Sequence, residues 1–236
     1  MRRIQFANDF LYHAYNRGTD KRKIFLDEKD YFRFIHDLYE FNNNSASFNV
    51  GFRFTKSKNY GGPPAIIGSA PAIITRDRLV DILLFCLMPN HFHLLLKELK
   101  NNGIAKFMQK LGTGYTMYFN QRYKRSGVLF QGKFKGILID KDEYLLPLSA
   151  YIHSNPVELL ELSWKEKGIK DFQKTKEFLN NYRWSSYLDC IGIKNFPSVI
   201  YNDILMSYFK NERGYEQYLT DYLSKDSNEI GNIILD

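Results

Sequence analysis

The chain has 236 residues, 44% hydrophobic and 25% charged, which suits a globular protein with a substantial aromatic-rich core. Its longest clear apolar run, Ile82 to Met88, is strand-sized, and the basic start MRRIQFANDF lacks an apolar h-region, so no membrane span or secretory signal is expected. The net charge is +7, and the segment from Asn101 to Ile139 carries all of the excess, with seven basic residues and no Asp or Glu.

In chain order, Phe10 to Asn16 is β-prone and reads as a first strand, and Asn16-Arg17-Gly18-Thr19-Asp20 as a turn. Asp27 to Asn42 has helical apolar spacing, with Asp27 placed as a cap. Residues 44–78 read as an insertion; they hold Gly61-Gly62-Pro63-Pro64 and a PAII echo at 64–67 and 71–74, too little for a repeat architecture. Ile82–Met88 and His91–Lys97, joined by Pro89-Asn90, form a hairpin.

Gly103 to Tyr123 has helical spacing, and Gly112 and Gly114, each costing a helix about 1 kcal/mol, allow a break there. Val128–Leu138 supplies a fourth strand. Asp142–Asn155 is a helix in which Pro147 marks either a kink or a late first turn, and Pro156 disfavours helical geometry at Asn155. Helical patterns follow at Lys174–Tyr182, Trp184–Cys190, Ile200–Lys210 and Tyr215–Lys225.

The order β-α-β-β-α-β-α predicts an α+β fold: a ferredoxin-like antiparallel sheet with helices on one face, plus a C-terminal helical extension. Residues 1–158 form the core, with the insertion at about 44–78, and residues 159–236 the extension. Cys86 and Cys190 lack metal-type spacing and read as ordinary intracellular thiols.

The basic segment holds Lys106, Lys110, Arg122, Lys124, Arg125, Lys133 and Lys135 among Tyr115, Tyr118, Phe119, Tyr123, Phe130 and Phe134. Cations neutralise phosphates and aromatic faces stack on unpaired bases, which suits single-stranded nucleic acid. The same pattern equally fits a solvated helix face whose aromatics belong to the core. His91-Phe92-His93 puts two imidazoles on one face of a strand, a start for a divalent metal site, though His-x-His alone is a weak signal. Tyr151 and Asn155 are spaced i, i+4 on one helix face, so a phenol and a carboxamide can approach one point. His153 lies off that face and reads as structural.

These motifs in sequence, YHAYNRGTDKRKIF, MPNHFHLLL, GYTMYFNQRYKRSGVLFQGKFKG, YIHSNPVEL and YRWSSYLD, resemble the REP-associated tyrosine transposases, single-tyrosine HUH enzymes of the insertion-sequence 200-like kind. The resemblance implies that His91, His93 and Asn155 hold a divalent metal, Mg²⁺ or Mn²⁺, and that Tyr151 is the nucleophile. It implies a cutting and rejoining of single-stranded or hairpin DNA through a 5′-phosphotyrosine, at palindromic repeats. Arg122, Lys124, Arg125, Lys133 and Lys135 are then the expected DNA contacts. The implied setting is bacterial-type cytoplasm, nucleoid-associated, as a monomer or a homodimer. Two other classes compete: a domesticated nucleic-acid binder without catalysis, and a hydrolase of small phosphoesters, which leaves the localised charge unexplained.

Overall fold

The computed structural model describes residues 6–45 and 76–224. Six elements build the core: β1 (Leu11–Arg17), α1 (Glu28–Glu40), β2 (Val80–Met88), β3 (His91–Glu98), α2 (Gly103–Arg122) and β4 (Lys135–Ile139). The strands form an antiparallel sheet in the order β2-β3-β1-β4, which is the ferredoxin-like arrangement expected from the sequence. Asp27 caps α1 as its position suggested, its carboxylate accepting from the N–H groups of Lys29 and Asp30.

Period-two alternation decides what each sheet face carries. Tyr12 and Ala14 of β1 and Phe92, Leu94 and Leu96 of β3 point to α1 and α2, where Phe34, Leu38, Phe107, Leu111 and Tyr115 complete one core. The intervening residues point the other way. That second face is covered by α3 (Asp142–Ser154) and by the extension, through Leu83, Leu84 and Leu95 below and Leu145, Leu148 and Ile152 above. The sheet is thus sandwiched, with α1 and α2 sharing one face.

The extension comprises α4 (Val157–Leu160), α5 (Trp164–Lys167), α6 (Phe172–Asn181), α7 (Tyr187–Cys190), α8 (Asp203–Met206) and α9 (Glu212–Ser224). It covers the open edge of β2: Leu87 N–H donates to the Trp184 carbonyl at 2.9 Å, and Tyr201 N–H to that of Ile82 at 2.8 Å. An edge so capped cannot template pairing with another chain. The YRWSSYLD motif works here, since the Tyr182 hydroxyl also donates to the Leu87 carbonyl at 2.6 Å.

Several expectations need correction. The fourth strand begins at Lys135 rather than Val128, because Gly132 takes a positive φ of 71° and turns the chain. Residues 128–134 instead run as a loop beside the end of β1, where Gln131 N–H donates to the Arg17 carbonyl. Helix α3 runs through Pro147, and Asn155 keeps right-handed helical angles despite the following proline. Its carboxamide donates to the Tyr151 carbonyl at 2.7 Å and its own carbonyl accepts from Glu158 N–H, which holds that geometry against the steric bias. The helices expected over 184–190 and 200–210 shrink to α7 and α8, the rest serving as edge cover.

The PAII echo and most of the insertion lie outside the described residues; Asn44 and Asp77, at its two ends, are hydrogen-bonded to each other.

Helix α2 is unbroken, and its two glycines differ in a testable way. A Cβ on Gly114 would come within 2.4 Å of the Phe41 ring, whereas one on Gly112 meets nothing within 4 Å. Gly112→Ala should therefore gain about 1 kcal/mol, raising the melting temperature by about 2–4 °C. Gly114→Ala should lose about 1–2 kcal/mol as overpacking outweighs the helix gain. Thermal unfolding of the two variants checks this; a stabilised Gly114→Ala would show that Phe41 yields without strain.

Candidate active site

Directly opposed residues in antiparallel strands share a face. The register sets His93 of β3 beside Tyr15 of β1, and Tyr15 beside Lys135 of β4, in one row across the sheet. One row further along, His91 stands opposite Arg17. The two imidazoles of the His-x-His motif therefore project from the same face, with ring centroids 5.0 Å apart and perpendicular. Phe92 between them is buried in the opposite core, as the strand period requires.

Helix α3 crosses this face and brings Tyr151 to the histidines. Its ring lies 5.7 Å from that of His93, edge to face. Asn155, one turn on, lies close enough to His91 for its side chain to act on that imidazole, and both line the cleft. All four residues line a cleft of about 670 Å³. His153 points away from it, to the Tyr215 hydroxyl at 2.6 Å and to Ser186 Oγ at 2.9 Å, and so ties α3 to the extension from behind. Burial drops the His153 pKa to about 3, as fits a neutral structural imidazole.

The imidazoles in the cleft are held in defined orientations. His91 Nδ1 lies 2.7 Å from Asn90 Oδ1, an oxygen that only accepts, so that nitrogen carries the hydrogen and Nε2 keeps its lone pair. His93 Nδ1 lies 2.9 Å from His13 Nε2. Burial lowers the pKa of His91 against the opposing pull of the Glu158 carboxylate and of Asn155. Burial first, then the neighbouring imidazoles of His13 and His91 and the Lys165 ammonium, holds His93 well below the usual histidine range. Both are thus neutral at pH 7, the form that donates a lone pair to a metal. Among the described residues no group of three or more His, Cys, Asp or Glu is placed to hold a metal ion; the oxygen beside this pair is a carboxamide.

Charge around the cleft favours an anion. Among the described residues Arg17, Lys21, Lys133, Lys135 and Lys165 line it against one carboxylate, Glu158. The basic residues singled out from the sequence divide accordingly. Lys133 and Lys135 are at the cleft, the latter with its ammonium 5.4 Å from the Tyr15 ring. Arg122 is bound to Asp27 and to the buried carboxylate of Asp30, Arg125 to Asn120 and the Val128 carbonyl, and neither lines the cleft; nor does the exposed Lys124. Lys106 and Lys110 bond carbonyls of residues 43–45. Of the interleaved aromatics, Tyr115, Phe119 and Phe130 are core, so there the plainer reading was the right one.

Among the residues at this site that sequence reading did not find are His13, Tyr15, Glu158 and Lys165. His13 and Tyr15 sit in β1 within the YHAYNRGTDKRKIF motif, to which no site role was given, and the strand register brings them beside His93. Glu158 comes from α4, at the very end of the core as drawn, and Lys165 from α5, beyond it. A Glu seven residues after Tyr151 shares its helical face if the chain stays helical, and the proline at 156 argued against that.

Two comparisons bear on this geometry. Residues 67–155 match the family described as transposase, IS200 like. That segment carries His91, His93, Tyr151 and Asn155. A solved structure described as a REP-associated tyrosine transposase bound to a REP hairpin has the same fold, with a TM-score of 0.51 over 86% of this chain and 92% of that one, at 14% identity. The resemblance read from the motifs and the ferredoxin-like fold with C-terminal helices are both borne out. No curated protein matches the sequence. No helix among the described residues is long and apolar enough to cross a membrane.

Proposed function

We propose that this IS200-like transposase chain cuts and rejoins single-stranded DNA through a 5′-phosphotyrosyl intermediate on Tyr151. The observation that carries the reading is the meeting of Tyr151 and Asn155, from α3, with His91 and His93, from β3, in a cation-lined cleft.

The donor set fits a divalent ion, Mg²⁺ or Mn²⁺. Two neutral imidazoles and a carboxamide add no charge of their own, the Asn90 contact leaves His91 Nε2 available, and three protein ligands leave positions for phosphate oxygens. His91, His93 and Asn155 would hold the ion, which when bound neutralises charge building on the scissile phosphate.

The chain's own residues then do the following. Lys133 and Lys135 contact phosphates of the strand and hold it over the sheet face. The Tyr151 oxygen attacks phosphorus, the bond from phosphorus to the 3′ oxygen breaks, and that oxygen leaves as a hydroxyl while the phenol gives up its proton. The phosphotyrosyl ester retains the phosphodiester's reactivity, so another 3′-hydroxyl can reverse the step and join a new end. The hairpin bound by the structurally similar transposase supports a palindromic, hairpin-forming substrate here.

A pool of single-stranded oligonucleotides with palindromic stems and a fluorophore at the 3′ end tests this. The protein should acquire a denaturant-resistant fluorescent band in Mg²⁺ or Mn²⁺, lost on chelation. Binding with no adduct anywhere in the pool would instead assign the chain to non-catalytic nucleic-acid binding.

A further inference from the structure

Lys165 is a cation in the cleft that the sequence pattern does not account for. It follows Trp164, which is buried at 2% exposure and fixes α5 against the second core. Its ammonium lies 4.7 Å from the centre of the Tyr151 ring and 2.8 Å from the Glu158 carboxylate. Its charge also acts on both His91 and His93, and all of them line the one cleft. Lys133 and Lys135, by contrast, come from the loop and strand at the β4 side of the sheet.

We propose that Lys165 is a catalytic residue of the strand-transfer step: it leaves Glu158 when a strand enters the cleft and binds the scissile phosphate beside the attacking Tyr151 oxygen. The inference rests on the function proposed above and adds a residue to it. A phosphodiester carries one negative charge, and the phenol losing its proton brings a second to the reacting centre. An ammonium already on the tyrosine needs only a turn of its flexible stem to meet that charge. Glu158 serves the empty cleft, where it offsets a cation that no phosphate yet meets. Phosphate and carboxylate then compete for one ammonium, so Glu158 lowers strand affinity while it positions Lys165. In the transfer itself Lys165 neither gives up nor takes a proton: the phenol loses one, the 3′ oxygen gains one, and the lysine stays a charged ammonium throughout.

The test uses the full chain, Mn²⁺ and the 3′-fluorescent palindromic pool. It measures the single-turnover rate of adduct formation, and separately strand affinity in a Tyr151→Phe background. Lys165→Met should slow the adduct rate about 100-fold, as removal of a charge-stabilising group at a reacting centre does. Affinity should fall no more than about tenfold, the effect of one phosphate contact. Lys165→Arg should recover part of the rate, because charge is kept and geometry is not. Glu158→Gln should tighten strand binding about threefold, since it removes the cleft's carboxylate.

A Lys165→Met rate within about threefold of the parent would overturn the inference and leave the Tyr151 reading standing. Equal rate losses in Lys165→Met and Glu158→Gln, with matching drops in melting temperature, would also overturn it, by showing that the ion pair only fastens α5 to α4. Absence of any adduct from the parent chain would overturn the proposed function itself, and the role of Lys165 with it.

Discussion

Replacing Tyr151 with phenylalanine is expected to abolish the covalent DNA adduct while the protein folds and binds strand as before. The substitution removes one oxygen and leaves the ring that packs edge-on against His93 and His13. A lost hydroxyl hydrogen bond costs about 0.5–1.5 kcal/mol, a small fraction of a domain's stability. The rate loss has no such floor, since no atom of phenylalanine can attack phosphorus. The decisive comparison is with Tyr15, whose ring stands 5.8 Å from His93 and which lines the same cleft. Two other tyrosines, Tyr115 and Tyr144, are less suited. Tyr115 is buried in the opposite core with its hydroxyl donating to the Ile24 carbonyl, and Tyr144 lies outside the cleft. An undiminished adduct in Tyr151→Phe, lost in Tyr15→Phe, would transfer the role to the strand.

His91→Ala should cost nearly as much. A metal at a reacting phosphate contributes several kcal/mol, and each 1.4 kcal/mol or so is a factor of ten in rate. Loss of a ligand therefore predicts an adduct rate lower by about two to four orders of magnitude. His91 is half-buried at the rim, so its truncation should leave the fold intact. His93→Ala is a harsher change. It deprives the buried His13 of its 2.9 Å partner, at a cost of about 1–3 kcal/mol in stability. Mn²⁺ titration by calorimetry separates the two effects. Both variants should lose the binding heat, and only His93→Ala should also melt earlier. Unchanged Mn²⁺ affinity in His91→Ala would remove that residue from the ligand set.

The sequence made the sheet legible because period-two runs and turn residues are local signals, and the observed strand order follows from them. The His-x-His pair and the Tyr151/Asn155 pair were legible for the same reason, each fixed by the spacing within one element. What remained hidden is non-local. Nothing in β1 announces that Tyr15 and His13 sit beside His93, because register is a property of two strands. Lys165 reads as one more exposed lysine until Trp164 is seen buried next to it. Charge composition singled out Arg122 without recording its partners 92 and 95 residues away, the carboxylates of Asp30 and Asp27. The break that Gly112 and Gly114 allowed in α2 does not occur, and Gly114 answers to the ring of Phe41 rather than to the helix backbone.

The account turns on which oxygen becomes bonded to the 5′ phosphate. After adduct formation, nuclease trimming and tryptic digestion, residues 142–165 form one peptide, holding Tyr144 and Tyr151, and residues 4–17 another, holding Tyr12 and Tyr15. Fragmentation mass spectrometry should find a 5′-phosphonucleotide on Tyr151 within the first. The same modification on Tyr15 or Tyr144, with Tyr151 bare, would contradict the account.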